Sequence, residues 1–105
     1  MIAQDHQWIF ATEEHMVQEG MLHVAFPGGL PVLLTKKNGK LFAISNKCAH
    51  MGCTLSKGTL NGYILKCPCH DWIFDLRTGE FVVSPEIKIP IYETKVEDSK
   101  IFVRI

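Results

Sequence analysis

All four cysteines of this 105-residue chain fall in two short clusters, Cys48-Ala49-His50-Met51-Gly52-Cys53 and Cys67-Pro68-Cys69-His70, and this constrains the fold more than any other feature. Written as ligands, the clusters are Cys-x-His, a 16-residue spacer and Cys-x-x-His, with one additional cysteine in each. A short spacing between two ligands forces a tight loop that points both at one metal site, so the chain must bring two loops together. Loops carried on a rigid sheet suit this task, because their free backbone N–H groups turn toward anionic sulfur. Three other readings compete. Single cysteines and histidines are often ordinary buried residues, but that accounts poorly for two pairs in the same Cys-then-His order. Four cysteines allow two disulfides, which leaves His50 and His70 unexplained. Two Cys and two His also make a closed zinc site, although zinc modules usually open with two cysteines and end with two histidines, whereas each arm here mixes thiolate and imidazole.

The remainder of the chain reads as all-β, since turn signals recur at short intervals between segments rich in β-branched and aromatic residues. Val32 to Lys37 and Lys40 to Ser45 flank Asn38-Gly39, a pair that tolerates the positive φ angles of a type I′ hairpin turn. Asn61-Gly62 precedes Tyr63 to Lys66, and Arg77 to Glu80 separates Trp72 to Asp75 from Phe81 to Val83. Ile91 to Val96 and Lys100 to Arg104 alternate apolar with polar residues around Asp98-Ser99, which predicts a terminal hairpin. The one helical candidate is Thr12 to Glu19, with Thr12 as cap and Gly20 as terminator.

With 47% hydrophobic and 21% charged residues, the chain is apolar enough for a real core and short enough for one domain, 1–105. Eleven basic residues balance eleven acidic ones, so no positive field is present to attract nucleic acid or anionic lipid. The longest apolar stretches, such as Leu30 to Leu34, are far short of the roughly 18 to 20 residues that span a bilayer. No secretory signal is visible at the start, and the expected localisation is cytoplasmic.

In its ligand spacing the sequence resembles the Rieske iron-sulfur family, whose fingerprint is Cys-x-His followed by Cys-x-x-His around a 2Fe-2S cluster. The resemblance extends to residues 39–44, Gly52, Gly58, residues 72–80 and Ser84-Pro85. It implies an antiparallel β-sandwich of short strands with a cluster-binding subdomain of two loops, at about 46–58 and 66–76. It further implies that Cys48 and Cys67 hold an inner iron and His50 and His70 an outer one. Cys53 and Cys69 occupy the positions that form a loop-to-loop disulfide in the respiratory branch of the family. Met51, Pro68 and Pro85 are placed to cover the cluster from water.

Such a ligand set has a direct electrostatic consequence. Two ferric ions and two sulfides are formally +2, so four thiolates leave −2 whereas two thiolates and two neutral imidazoles leave 0, which eases reduction. Hydrogen bonds to the sulfurs then set the potential. Respiratory relatives place Ser and Tyr hydroxyls after the second loop; here the positions are Trp72 and Phe74, and the family's usual glycine after the last ligand is Asp71. Those departures resemble the low-potential, ferredoxin-like branch. The resemblance thus implies a one-electron carrier, not itself an enzyme, passing electrons from a reductase to an oxygenase or other redox enzyme. Its alternatives are a permanently bound redox subunit or sensor of a larger oxidoreductase, and a structural zinc module. His6, His15 and His23 read as ordinary side chains, and Glu13-Glu14 and Glu97-Asp98 as solvated charges.

Overall fold

A computed structural model describes residues 7–48, 53–69 and 71–105. Among the described residues, nine strands make two antiparallel sheets. The larger contains β1 (Trp8–Glu13), β2 (His23–Ala25), β3 (Val32–Lys37), β4 (Lys40–Ser45), β8 (Ile91–Glu97) and β9 (Lys100–Arg104), in the order β1-β9-β8-β4-β3-β2. The smaller contains β5 (Thr59–Asn61), β6 (Ile64–Lys66) and β7 (Ile73–Asp75), with β6 central. Among the described residues, no helix is long and apolar enough to cross a membrane.

The β3–β4 hairpin organises the molecule. Its turn has φ 55° at Asn38 and 77° at Gly39, the left-handed conformation anticipated for Asn-Gly, and the register runs from Lys37 opposite Lys40 to Val32 opposite Ser45. The Glu19 carboxylate caps this turn, accepting the Gly39 N–H at 3.1 Å and the Asn38 N–H at 2.5 Å. Those two donors, Gly39 first, hold the Glu19 carboxyl below its ordinary pKa. A second left-handed pair, Asp98 (φ 53°) and Ser99 (φ 61°), turns β8 into β9.

Strand β3 is buried on both faces because successive side chains point to opposite sides and each side meets a different core. Val32 and Leu34 join Ala43, Ile101 and Val103 in one apolar cluster. Leu33 and Ile44 face a second cluster built with Leu55, Leu65, Phe74 and Leu76 from the smaller sheet and its loops. The larger sheet curls around the first cluster, so Ile9 on β1 approaches Gly28 just after β2, although these strands lie at opposite ends of the order. The second cluster fastens the small sheet to this curled base.

Two expectations are corrected. Residues 12–19 do not form a helix: Thr12 and Glu13 complete β1 against Ile101 and Lys100, only Glu14–Met16 makes a single 3₁₀ turn, and Gly20 donates to the Lys36 carbonyl at 2.8 Å. Ladder pairing with β9 takes the backbone that a helix would have used. Phe81 to Val83 is likewise not a strand of its own. Phe81 makes a lone bridge to Phe74, and the chain reverses through Ser84 to Ile87 back to the Phe81 N–H.

Candidate metal centre

Two loops rise from the second core. The first leaves β4 at Asn46, a 6% exposed residue whose side chain braces the loop from within. Its Oδ1 accepts the Ser56 backbone N–H at 2.8 Å, its Nδ2 lies 3.4 Å from the Ser56 hydroxyl, and its own N–H donates to the Pro31 carbonyl. Inside that frame the Cys48 N–H donates to the Cys53 carbonyl at 2.8 Å and Lys47 bridges Thr54, so the two limbs of the loop run side by side. Leu55, fully buried, anchors the returning limb in the core.

The second loop joins β6 to β7. Cys67 N–H donates to the Trp72 carbonyl at 2.7 Å, closing it at the base. Asp71 adopts φ 59°, a conformation that glycine takes without strain and aspartate tolerates better than most residues. Asp71 also lies 3.8 Å from the exposed Lys66 ammonium, a pair worth little at that exposure. Gly58, where the first loop ends, passes so close to the Lys66 carbonyl that any Cβ would overlap it. The two loops therefore meet at their bases through backbone.

At their tips the loops are joined covalently, by a disulfide between Cys53 and Cys69 with Cα atoms 6.5 Å apart. Cys48 and Cys67 are not disulfide-bonded and are 4% and 1% exposed. Both belong to the second apolar cluster. The sulfurs of Cys53, Cys67 and Cys69 all lie within 4.8 Å of one another. A disulfide sulfur carries no thiolate charge, so the thiolate donors among the described residues are Cys48 and Cys67. Two buried thiols at the feet of two pinned loops fit the inner half of a mixed thiolate and imidazole site. His50, His70 and Met51 lie outside the described residues. Pro68 and Pro85 are exposed.

Beneath and beside the loops the packing is aromatic. Phe74 is fully buried, and Trp72 stacks on Phe81 with centroids 4.1 Å apart and planes 4° from parallel. Neither position after the second loop offers a hydroxyl. Asp75 at the end of β7 is held below its ordinary pKa by hydrogen bonds and charge from Arg77, whose guanidinium lies over the Tyr63 ring. This closes the turn into the Phe81 segment. Sequence reasoning passed over Asn46 and Phe81. An Asn two residues ahead of the first cluster was the available signal for one, whereas the other is identifiable only once β7 and the following turn are in place.

A family model for the Rieske [2Fe-2S] domain matches residues 7–93. The ferredoxin component of the p-cumate 2,3-dioxygenase system of Pseudomonas putida is 36% identical over 98 residues, covering 90% of this chain and 81% of that protein. Apoptosis-inducing factor 3 of Homo sapiens is 33% identical over 89 residues, 84% of this chain but only 15% of that protein's length. A chain in the complex of reduced oxygenase and oxidized ferredoxin in carbazole 1,9a-dioxygenase superposes with a TM-score of 0.80 at 26% identity, covering 91% of both chains.

Proposed function

The chain belongs to the Rieske 2Fe-2S family, and from that premise we propose that it takes single electrons from a reductase and delivers them to an oxygenase or related redox enzyme. The bound cluster supplies one reversible electron-accepting site. The chain's own residues do the rest. Cys48 and Cys67 provide buried thiolates, and His50 and His70 complete the set as neutral imidazoles. The Cys53–Cys69 bond and the Asn46–Ser56 brace hold both loops in place. Leu55, Leu65 and Phe74 close the site from below, keeping water from the thiolates and lowering the local dielectric, which tunes the potential.

The observation that carries this reading is the pair of buried, non-bridged cysteines at the feet of loops stapled to each other, in a chain matched over nine-tenths of its length by a ferredoxin component. That relative's name and the oxygenase–ferredoxin complex support an oxygenase as acceptor. The test is anaerobic mixing of the reduced chain with the terminal oxygenase of such a system, followed by stopped-flow absorbance. Reoxidation that accelerates with oxygenase concentration supports the proposal; a rate indifferent to it contradicts it.

A second reading, a redox module bound permanently to a larger protein, is favoured by the match to a small part of apoptosis-inducing factor 3. Gel filtration of the native complex separates the two: a stable stoichiometric assembly supports the module, and a chain eluting alone supports the shuttle.

A further inference from the structure

Three cysteine sulfurs crowd together above the second core. Cys53, Cys67 and Cys69 place theirs within 4.8 Å of one another, two joined as a disulfide and the third a thiol. A thiol beside a disulfide is the arrangement that exchange through a mixed disulfide requires. We propose that in the cluster-free chain the Cys67 thiol moves the bridge from Cys53–Cys69 to Cys53–Cys67, giving an isomer that has surrendered one of its two buried thiols.

The step balances without an outside oxidant. The Cys67 thiol loses its proton, which the departing Cys69 sulfur takes up on balance, and the resulting thiolate attacks the Cys53 sulfur. The Cys53–Cys67 bond forms, the Cys53–Cys69 bond breaks, and the electron pair leaves on Cys69, which takes up a proton. One disulfide and one thiol enter, and one of each leaves.

The surroundings favour this direction over attack on Cys69. A Cys53–Cys67 bridge still ties the first loop to the second. A Cys67–Cys69 bridge would cut that tie and close a ring across a single residue, Pro68, whose φ is fixed. The leaving sulfur matters too. Cys69 is exposed whereas Cys53 is half-buried, so solvent stabilises the departing thiolate better at Cys69.

The consequence rests on the ligand assignment under the proposed function. A Cys67 thiolate committed to iron is not available to attack, and a Cys67 committed to a bridge is not available to iron. Loading and isomerisation are therefore mutually exclusive, and the disulfide that braces the loaded site becomes a block on loading when the site has emptied.

The experiment uses the full chain, with iron removed anaerobically by a chelator and no added thiol. Free thiols are trapped with N-ethylmaleimide in acid, and tryptic peptides are mapped by mass spectrometry, with fragment ions distinguishing Cys67 from Cys69. The expected result is a Cys53–Cys67 cross-link with maleimide on Cys69 and a matching loss of the Cys53–Cys69 cross-link; the iron-loaded chain keeps only Cys53–Cys69. Iron uptake without thiol falls in proportion to the isomer and returns with dithiothreitol, whereas uptake by the Cys53→Ser, Cys69→Ser double variant is insensitive to it. A cluster-free chain still folded by circular dichroism that retains only Cys53–Cys69 after a day, with maleimide on Cys67, overturns the proposal. Exchange in the iron-loaded chain as well would leave the chemistry standing and overturn instead the assignment of Cys67 as a ligand.

Discussion

Replacing Cys53 and Cys69 together by serine isolates what the loop-to-loop bond does for the fold. The two residues are 16 apart in sequence, so the bond closes a loop of about 17 residues. In the chain-entropy treatment, tying such a loop removes about 10 cal/mol/K from the unfolded ensemble, or about 3 kcal/mol at 25 °C. Because Cys69 is exposed and Cys53 only partly buried, packing lost in the variant adds little. Unfolding entropy of about 2.1 cal/mol/K per residue converts this into a drop in Tm of about 14 °C. Shuffling to Cys53–Cys67 does not blur the measurement, since that bridge closes a loop nearly as long and contributes about the same. Urea titration of the cluster-free chain, followed by circular dichroism without reductant, reads the difference. Wild-type chain in dithiothreitol should fall to the level of the double variant. A loss below about 1 kcal/mol would refute the reasoning, showing either a compact unfolded state or loops held by packing alone.

Three further outcomes follow from particular contacts. Gly79→Ala forces a Cβ onto the Ile89 carbonyl at φ 80° and should cost about 1–3 kcal/mol more than Gly39→Ala, where φ is 77° but the space is open; equal urea midpoints would contradict this. Glu19 has its folded pKa lowered by the Gly39 and Asn38 N–H groups, so its stabilisation is fully present above the ordinary carboxylate range and is lost as pH falls through the lowered folded value. The stability gap between wild type and Glu19→Ala should therefore close on acidification in urea titrations, and a gap independent of pH would count against the cap. Asp71→Gly places the residue best suited to φ 59° in the second loop and removes a negative charge beside the site, so the fold should persist, with stability altered by no more than about 1 kcal/mol, and the reduction potential should rise in protein-film voltammetry.

The sequence showed most where a local rule and the tertiary fold agree. Asn38-Gly39 has side chains that tolerate positive φ, and both flanking strands have the boundaries their pattern predicts. The terminal hairpin was legible from its period-two alternation. Thr12 to Glu19 misled because a capping threonine and a terminal glycine are local signals, whereas pairing of Thr12 with Ile101 is a contact across most of the chain. Strands β2 and β5 are three residues each, too short for any period to register. At the site, spacing did not by itself separate Cys48 and Cys67 from the other two cysteines; resemblance to the family did. Their burial and the Cys53–Cys69 bond supply the physical distinction. The Asn46 brace and the Trp72–Phe81 stack depend on where loops return, which no local pattern encodes.

The central claim is that Cys48, His50, Cys67 and His70 hold one 2Fe-2S cluster that exchanges a single electron. The most direct measurement is an anaerobic reductive titration of the purified chain, with iron, acid-labile sulfide and zinc determined on the same sample, alongside His70→Ala and His23→Ala. The account predicts two irons, two sulfides and one electron per chain. It also predicts that His23→Ala matches the wild type while His70→Ala loses the cluster or alters its spectrum. Stoichiometric zinc with no electron uptake, or an intact and spectrally unchanged cluster in His70→Ala, would contradict it.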